Sequence, residues 1–460
     1  MRRKLPLTFI AALSALTAGA EGGHIFVYRN DANFNHFRQE AGIRAPGGTF
    51  ELTCGDTSVP LEVIDSCTVR ATDIPVLRFT LPDYPDAETV WDKELYVNAV
   101  LDIEGNGTTD PDNALQLTIK GRGNSTWNMP KKPLRLKFPS KTSICGFAPA
   151  KSYVLLANYV DPTLMRNAVA LWLARRLGVP YANHAMPCHV YINGNYQGAY
   201  LLTEKVGINS ASVDIDKQTG MLFEMSVEYD EPYKFRSEIN KLPVMVKGSD
   251  FGLTDPDNPY GATPEERLEK WKADFNRAER LAENGRAAEA FDVESAVNYM
   301  LLFDIIGNNE IGFPRSFFIH KNALGDTELY RLGPAWDFDV SCNFSSPDGT
   351  GGFKEADPKQ GLWWNGLCGA LLADPAIAAR YAARTREFID DIYPELKRFI
   401  AEYSQLIEPS ARENGVRWPD SHVYQGWAYV QPSFDTSRQV SALQQWLDAR
   451  VEYLSARLNR

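Results

Sequence analysis

Apolar and polar residues alternate with a period of two over the first part of the chain. Between residues 24 and 82, segments such as HIFVYR and PVLRFTL follow this alternation and are separated by Gly, Pro and Asp. A period of two places successive side chains on opposite faces of a β-strand. The pattern therefore predicts a small β-rich N-terminal region at residues 21–85.

Strand-like segments continue between residues 86 and 206, where a single helix interrupts them. The strongest signal is a β-hairpin around Asn193-Gly194, because this dipeptide is the preferred two-residue turn between antiparallel strands. The interrupting helix is predicted to begin at Asp161, a good N-terminal capping residue, and to end at Gly178.

Helical spacing dominates after residue 262. Thr263 and Glu266 form a capping-box pattern, and Asp292 is placed to cap a second helix. The tail from residue 365 to 460 is mostly helical and ends in an amphipathic segment. Strands that come first and helices that come later favour an α+β protein with two lobes.

The net negative charge of the chain disfavours two classes of binding partner. The chain has 460 residues and a formal net charge of -11. A general nucleic-acid binder needs cations to replace the counterions of the phosphates, so this class is disfavoured and no nucleic-acid partner is expected. Binding to acidic membrane surfaces is disfavoured for the same electrostatic reason.

The first 20 residues have the features of a secretory signal peptide. A basic start precedes a short apolar run that ends in small residues, and the alternative is an uncleaved anchor. Because no later run is long enough to cross a bilayer, we expect an exported protein without a stable membrane span after cleavage.

Export permits disulfide bonds between the six cysteines of the chain. Cys54 and Cys67 are the expected pair, and the other four cysteines are expected to be buried thiols.

A glycine-rich stretch, GRGNSTW at residues 121–127, precedes four basic residues: Lys131, Lys132, Arg135 and Lys137. A turn of this kind beside a basic strand can hold an anion such as a phosphate. The alternative is an ordinary turn followed by an edge strand that its charges keep soluble.

Two clusters of carboxylates and amides lie close together later in the chain. Asp337 and Asp339 share a face if the segment is extended, and two carboxylates on one face favour a hard cation such as Mg²⁺ between them. Asn308, Asn309 and Glu310 follow a predicted helix. The alternatives are a solvated strand end for the aspartates and an ordinary helix C-cap for the second cluster.

Five stretches, in this order, resemble the signature blocks of the spore coat protein H (CotH) kinase family: GRGNSTW with PKKPLRLKF, LLANYVDPTLMRNAVA, PCHVYINGNYQGAYLLTEKV, NNEIGFPRSFFIH and GPAWDFD. The similarity runs from about residue 90 to 345, and this version of the blocks resembles exported members from Bacteroides-type bacteria. Within the second block, Asn158, Asp161, Arg166 and Asn167 are expected to be mainly structural.

The resemblance implies an atypical protein-kinase-like fold with an N-lobe at residues 86–206 and a mainly helical C-lobe at residues 207–460. Such a protein binds ATP and Mg²⁺ and transfers the γ-phosphoryl group to Ser or Thr hydroxyls. With the predicted export, the resemblance implies substrates among secreted or cell-surface proteins.

Site residues are carried over from the resemblance by position. It assigns Mg²⁺ binding to Asp337 and Asp339, and the catalytic loop to Asn309 and Glu310. It assigns the nucleotide contacts to four further residues: Arg122, Asn124, Lys137 and Glu204.

This chain departs from the family pattern at two positions. Active members are expected to have Asp in the catalytic loop and Asn several residues later, where this chain has Glu310 and Ser316. A second hypothesis is therefore a catalytically degenerate member that serves as a binding or surface-structural protein of the cell envelope.

Overall fold

The computed structural model describes five ranges with their side chains, 74–103, 114–247, 253–342, 356–419 and 437–459, and elsewhere only the backbone of strands and helix ends. The predicted signal peptide and the side chains of Cys54 and Cys67 lie outside the described residues. The other four cysteines are buried thiols, as expected.

The chain divides into two compact units. The first comprises Met1–Leu164, His184–Thr203 and Ala401–Ser421. The second comprises Met165–Asn183, Glu204–Ile400 and His422–Arg460. The α+β class predicted from the sequence is confirmed, because the strands precede most of the helices along the chain.

Six strands confirm the β-rich N-terminal region: β1 (His24–Arg29), β2 (Phe34–Phe37), β3 (Gly42–Arg44), β4 (Glu51–Cys54), β5 (Thr57–Pro60) and β6 (Ile64–Arg70). They form two three-stranded antiparallel sheets, with strand orders β2-β1-β6 and β3-β4-β5.

A closed barrel forms the core of the first unit. Its strands are β7 (Val76–Thr80), β8 (Val97–Glu104), β9 (Leu115–Gly121), β10 (Leu134–Thr142), β11 (Ala150–Leu156), β12 (Met186–Ile192) and β13 (Asn195–Glu204). Their order is β10-β11-β13-β12-β7-β8-β9. Along β10, Leu134 and Leu136 are buried while Lys137 is exposed, which is the alternation expected of a strand that lines a core.

The predicted hairpin and the glycine-rich turn both depend on backbone conformations that suit small residues. Asn193 and Gly194 have φ values of 45° and 80°, as the two-residue turn between β12 and β13 requires. Gly123 has a φ of 92°. The Trp127 ring packs on Gly121 so closely that an added Cβ would lie 2.0 Å from a ring carbon. The glycines of GRGNSTW therefore have a structural role in this turn.

One of the four basic residues after this turn is inside the first unit. Lys131 is fully buried, and its Nζ donates hydrogen bonds to the Ala199 carbonyl and, over 2.8 Å, to Asn414 Oδ1. Burial lowers the pKa of Lys131 to about 7. This lysine ties the start of β10 to other parts of the first unit and is not available to an anion at the surface.

Two sheets belong to the second unit. The first has the order β15-β16-β14-β17-β18 and contains β14 (Met221–Met225), β15 (Lys234–Arg236), β16 (Pro243–Lys247), β17 (Phe317–Lys321) and β18 (Arg331–Leu332). The second has the order β19-β20-β22-β21 and contains β19 (Phe344–Pro347), β20 (Gly352–Glu355), β21 (Val423–Tyr424) and β22 (Trp427–Tyr429).

Seven helices are described: α1 (Arg166–Leu177), α2 (Pro264–Glu283), α3 (Val293–Ile306), α4 (Gly366–Ala373), α5 (Pro375–Glu387), α6 (Tyr393–Arg417) and α7 (Thr436–Leu458). The caps predicted at Thr263 and Asp292 are confirmed, since their side chains accept hydrogen bonds from the backbone N–H groups of Glu266 and Ser295. Within the part of the chain that the structure describes, none of the helices combines the length and apolarity needed to cross a membrane.

The start predicted for α1 is wrong, because the helix begins at Arg166 rather than next to Asp161. The Asp161 carboxylate instead accepts hydrogen bonds from the backbone N–H of Thr163 over 2.9 Å and from its hydroxyl over 2.6 Å. This local turn uses the capping group before the helix starts. The predicted end is confirmed, because Gly178 has the left-handed conformation of a C-cap.

Helix α3 lies at the centre of the second unit. Most of its residues are buried around its whole circumference, and it packs against α1, α5 and α7. Near its end, the buried Asp304 carboxylate pairs with Arg450 over 2.6 Å and also contacts Arg457. The Tyr381 hydroxyl donates a hydrogen bond to the same carboxylate over 2.5 Å. The end of α3 is thereby fixed to α5 and α7.

Substitution Asp304→Asn is expected to lower the free energy of unfolding by about 3–5 kcal/mol, because it leaves a buried guanidinium without its counter-charge. Chemical denaturation followed by circular dichroism measures this change. The matched control is Asp326→Asn, since Asp326 is 82% exposed and pairs with Arg277 over 2.8 Å. That surface pair should contribute less than about 1 kcal/mol. Equal effects of the two substitutions would contradict the role assigned to Asp304.

Candidate active site

The segment that contains Asp337 and Asp339 turns sharply. The prediction of an extended segment is wrong, because Asp337 has a φ of 69°, in the left-handed region. Phe338 between the two aspartates is buried, and its ring centroid lies 5.6 Å from that of Phe303 on α3. The apolar side chain therefore anchors the turn in the core, while Asp337 is exposed and Asp339 is half-buried.

Asn167, on the first turn of α1, holds this segment from the side. Its Nδ2 donates a hydrogen bond to Asp339 Oδ1 over 2.7 Å, and its Oδ1 accepts one from the backbone N–H of Phe338 over 2.9 Å. The neighbouring Arg166 donates from Nε to the Ser341 carbonyl over 3.1 Å. Since Asn167 and Arg166 are both buried, α1 fixes the aspartate turn by directed hydrogen bonds.

The loop that carries Glu310 begins where α3 ends. Gly307 is the left-handed C-cap of α3, so the C-cap interpretation of this position is confirmed. Asn308 then caps the short 3₁₀ helix Asn309–Ile311 by accepting a hydrogen bond from the Glu310 N–H over 2.9 Å. Asn308 Nδ2 also lies 3.3 Å from Ser341 Oγ. This buried amide thus joins the loop to the segment that follows the aspartates.

The Glu310 side chain approaches both aspartates. Burial, and next the negative charge of Asp337 with a smaller contribution from Asp339, together raise the pKa of the Glu310 carboxyl to about 8. Arg315 has the opposite effect, with its Nη1 3.8 Å from Glu310 Oε1. The three carboxyl groups therefore share one site. Asn309, by contrast, is exposed, and its Oδ1 lies 3.5 Å from the backbone N of Trp363.

Ser316 is also part of the site. Its hydroxyl donates a hydrogen bond of 3.3 Å to Asp337 Oδ2. Ser316 and Asp337 have φ values of 48° and 69°, and Cys342 just after the turn has 57°. Non-glycine residues rarely adopt this region, and each such residue costs of the order of 1 kcal/mol. Strained residues persist only where their surroundings fix them, and they concentrate at functional sites.

Two cations and three further glutamates surround the carboxyl groups. Arg315 reaches Glu228 over 4.0 Å as well as Glu310. On the adjacent sheet, Lys247 pairs with Glu224 over 2.9 Å and with Glu231 over 2.5 Å. Burial raises the pKa of Glu224, Lys247 opposes this shift, and Asp337 adds a smaller increase. The local charge is therefore negative.

Donor chemistry at this site suits a hard divalent cation. Carboxylate, hydroxyl and amide oxygens are the ligands that Mg²⁺ takes, and Mg²⁺ usually binds through one or two carboxylates together with phosphate oxygens and water. Among the described residues, no group of three or more His, Cys, Asp or Glu side chains is arranged to hold a metal by itself. The aspartate pair fits a cation whose remaining ligands come from a bound phosphate.

The residues predicted to contact the nucleotide lie elsewhere in the chain. Arg122 is half-buried, and Asn124 is exposed at the start of the 3₁₀ helix Ser125–Asn128. Lys137 is exposed on β10, with its Nζ 5.4 Å from the centre of the Tyr96 ring. These three residues belong to the first unit. Glu204 is buried at the end of β13, and its carbonyl accepts a hydrogen bond from Asn183 over 2.6 Å.

Sequence reasoning did not assign a site role to Asn167, Arg315 or Lys247. Asn167 lies in a block that resembles the family, but the sequence indicated only a structural role for this residue. Arg315 lies five residues after Glu310 and had no motif of its own. Lys247 could not be found, because only the pairing of β14 with β16 brings it near Glu224.

A pair of aspartates with a third carboxyl beside them, on loops anchored to a buried helix, is typical of sites that bind a divalent cation and a phosphate. The chain belongs to the CotH kinase protein family, whose model matches residues 119–454. This match confirms the family resemblance found in the sequence. A search of curated proteins finds no match.

The raised pKa of Glu310 predicts a pH-dependent stability. The folded protein binds a proton that the unfolded chain has lost between the ordinary glutamate pKa of 4.5 and about 8, so stability falls as pH rises through this window. Glu310→Gln removes the effect. The free energy of unfolding of Glu310→Gln minus that of the wild type should therefore rise from pH 5 to pH 8 and then level off.

Denaturation at a series of pH values measures this difference. The control is Glu269→Gln, because Glu269 is an exposed residue of α2 that pairs with Lys272. A difference between Glu310→Gln and the wild type that does not change with pH would show that Glu310 is not held against the aspartates.

Proposed function

We propose that this protein is an exported, Bacteroides-type CotH kinase that transfers the γ-phosphoryl group of ATP to Ser or Thr hydroxyls of secreted or cell-surface proteins. The observation that carries the proposal is the convergence of Glu310 with Asp337 and Asp339. The family supports ATP use, and the oxygen ligands of the site support Mg²⁺ as the cation.

Each side chain has a proposed task. Asp337 and Asp339 would hold Mg²⁺, which neutralises negative charge on the phosphates when it is bound. Asn167 keeps Asp339 in place through its hydrogen bond of 2.7 Å. Ser316 orients Asp337 in the same way.

Glu310 is the proposed general base. It accepts the proton of the acceptor hydroxyl while the hydroxyl oxygen forms a bond to the γ-phosphorus. The bond from that phosphorus to the bridging oxygen breaks, and ADP leaves. A pKa of about 8 keeps Glu310 near the working range of a general base, and Arg315 favours the ionised form that the step needs.

The proposed fold is a two-lobed kinase-like fold. In this proposal Arg122, Asn124 and Lys137 are nucleotide contacts, as their positions in the family blocks imply. The burial of Glu204 suits a role in positioning the backbone at the end of β13.

A second function is a binding or surface-structural protein that keeps the fold without the reaction. The observation that favours it is the pair of departures at the site. Glu310 is one methylene longer than the expected Asp, and a misplacement of about 1 Å can reduce catalysis about 100-fold. Ser316 replaces the expected Asn, and its hydroxyl is engaged by Asp337.

Phosphate transfer with Glu310 variants tests the proposed function. We expect Glu310→Gln to lower the rate of transfer from γ-labelled ATP to dephosphorylated casein by a factor of about 100 or more, because the variant cannot accept the proton. Glu310→Asp should retain part of the rate, and the exposed control Glu269→Gln should retain all of it. Wild-type transfer that Glu310→Gln leaves unchanged would contradict the assignment of the base. Wild-type protein without transfer would favour the binding protein.

A further inference from the structure

Two large aromatic side chains are exposed beside the loop that carries Glu310. Phe313 is 54% exposed and Trp363 is 61% exposed. Their ring centroids are 4.4 Å apart at an angle of 88°, so they form an edge-to-face pair. Trp363 belongs to a pair of adjacent tryptophans, a pattern that is more often found in a core than on a surface that stacks on sugars.

The aromatic pair is fixed relative to Glu310. The Trp363 carbonyl lies so close to Gly312 that an added Cβ would be 2.3 Å from it. Asn365 Nδ2 donates a hydrogen bond to the Ile311 carbonyl over 2.7 Å, and its Oδ1 caps α4. The segment before α4 is therefore packed along the loop that carries Glu310 and Phe313. Because these contacts involve backbone atoms, they fix the two segments that carry the rings against each other.

A third exposed apolar side chain lies on a different segment that contacts this loop. Val227 is 44% exposed, and its backbone N–H donates a hydrogen bond to the Pro314 carbonyl over 3.0 Å. Arg315 follows directly and reaches both Glu310 and Glu228. Exposed apolar side chains thus lie on the loop that carries Glu310 and on two segments that contact this loop through backbone atoms.

The chemistry of this border indicates which part of a substrate it contacts. Aromatic edges and faces bury apolar groups, and they offer nothing to the phosphates that the carboxylate site with its cation would hold. Phe313 is three residues from Glu310, and neighbouring residues of an extended polypeptide are spaced by about 3.3 Å. The backbone N of Trp363 lies 3.5 Å from Asn309 Oδ1, so the residues that carry both rings adjoin the loop of the proposed base, where the side chains next to an acceptor hydroxyl would lie.

We propose that Phe313 and Trp363, with Val227, form a subsite for a large apolar or aromatic side chain adjacent to the acceptor Ser or Thr. This inference rests on the proposed function, because it takes the occupant to be the polypeptide that is phosphorylated. The subsite makes the protein selective for hydroxyls in an apolar local sequence.

Binding of two fluorescent nonapeptides to the full chain in the presence of ATP and Mg²⁺ tests the subsite. Both peptides have a central serine, flanked on each side by phenylalanine in one and by glutamine in the other. Fluorescence anisotropy should show about tenfold tighter binding of the phenylalanine peptide, since burying one such side chain gives at least this preference. The preference should disappear in Phe313→Ala and Trp363→Ala. It should persist in Trp363→Phe and in the control Trp91→Ala, which removes a 45% exposed tryptophan of the first unit.

Failure of the subsite and failure of the kinase give different results. Selective binding that depends on Trp363, without phosphate transfer to either peptide, supports the subsite and contradicts the kinase. Transfer to both peptides with equal affinity supports the kinase and overturns the subsite. A preference that survives Trp363→Ala, or no binding of either peptide, also overturns it. Binding of xylohexaose that Trp363→Ala abolishes, without any peptide preference, would assign the rings to glycans instead.

Discussion

The central constraint on this structure is electrostatic: three carboxyl groups are held together where they repel one another. Glu310, Asp337 and Asp339 come from two loops, and burial together with this repulsion raises the pKa of Glu310 to about 8. Arg315 compensates only in part, because its guanidinium is 3.8 Å from Glu310 and also faces Glu228. A cation between the carboxylates would relieve the repulsion, which is the physical reason for proposing magnesium at this site.

The scaffold that maintains this arrangement is helix α3 and the groups bound to its end. Asp304 fixes the last turns of the helix through Arg450 and Arg457. Asn308 follows the helix and links the Glu310 loop to Ser341. From the side, α1 supplies Asn167, which binds Asp339 directly. Buried amides and ion pairs therefore hold the left-handed residues around the site in their strained conformations.

Local signals in the sequence predicted local structure well. The Asn193-Gly194 hairpin and the caps at Thr263 and Asp292 were correct, because each depends on residues close together in the chain. The start of α1 was missed, because the Asp161 carboxylate is used by a turn before the helix. The turn at Asp337 was missed as well, since a single left-handed residue leaves no trace in the hydrophobic pattern.

Contacts between distant residues explain the rest of what the sequence could not show. Asn167 and Asp339 are 172 positions apart, so no spacing rule connects them. Lys131 was one of four basic residues after the glycine-rich turn, yet it is buried and bonded to Asn414. Composition also could not show that Trp363 is exposed beside the loop that carries Glu310. The proposed function depends on these long-range contacts as much as on the motif residues.

Calorimetric titration with ATP, in the presence and absence of Mg²⁺, shows whether these carboxyl groups hold a metal–nucleotide complex. We expect the wild-type chain to bind ATP only with Mg²⁺, Asp337→Ala to abolish this binding, and the surface control Asp326→Ala to retain it. Folded wild-type protein that does not bind ATP, or that binds it equally well without Mg²⁺ and after Asp337→Ala, would contradict the assignment of these carboxylates to a metal–nucleotide site.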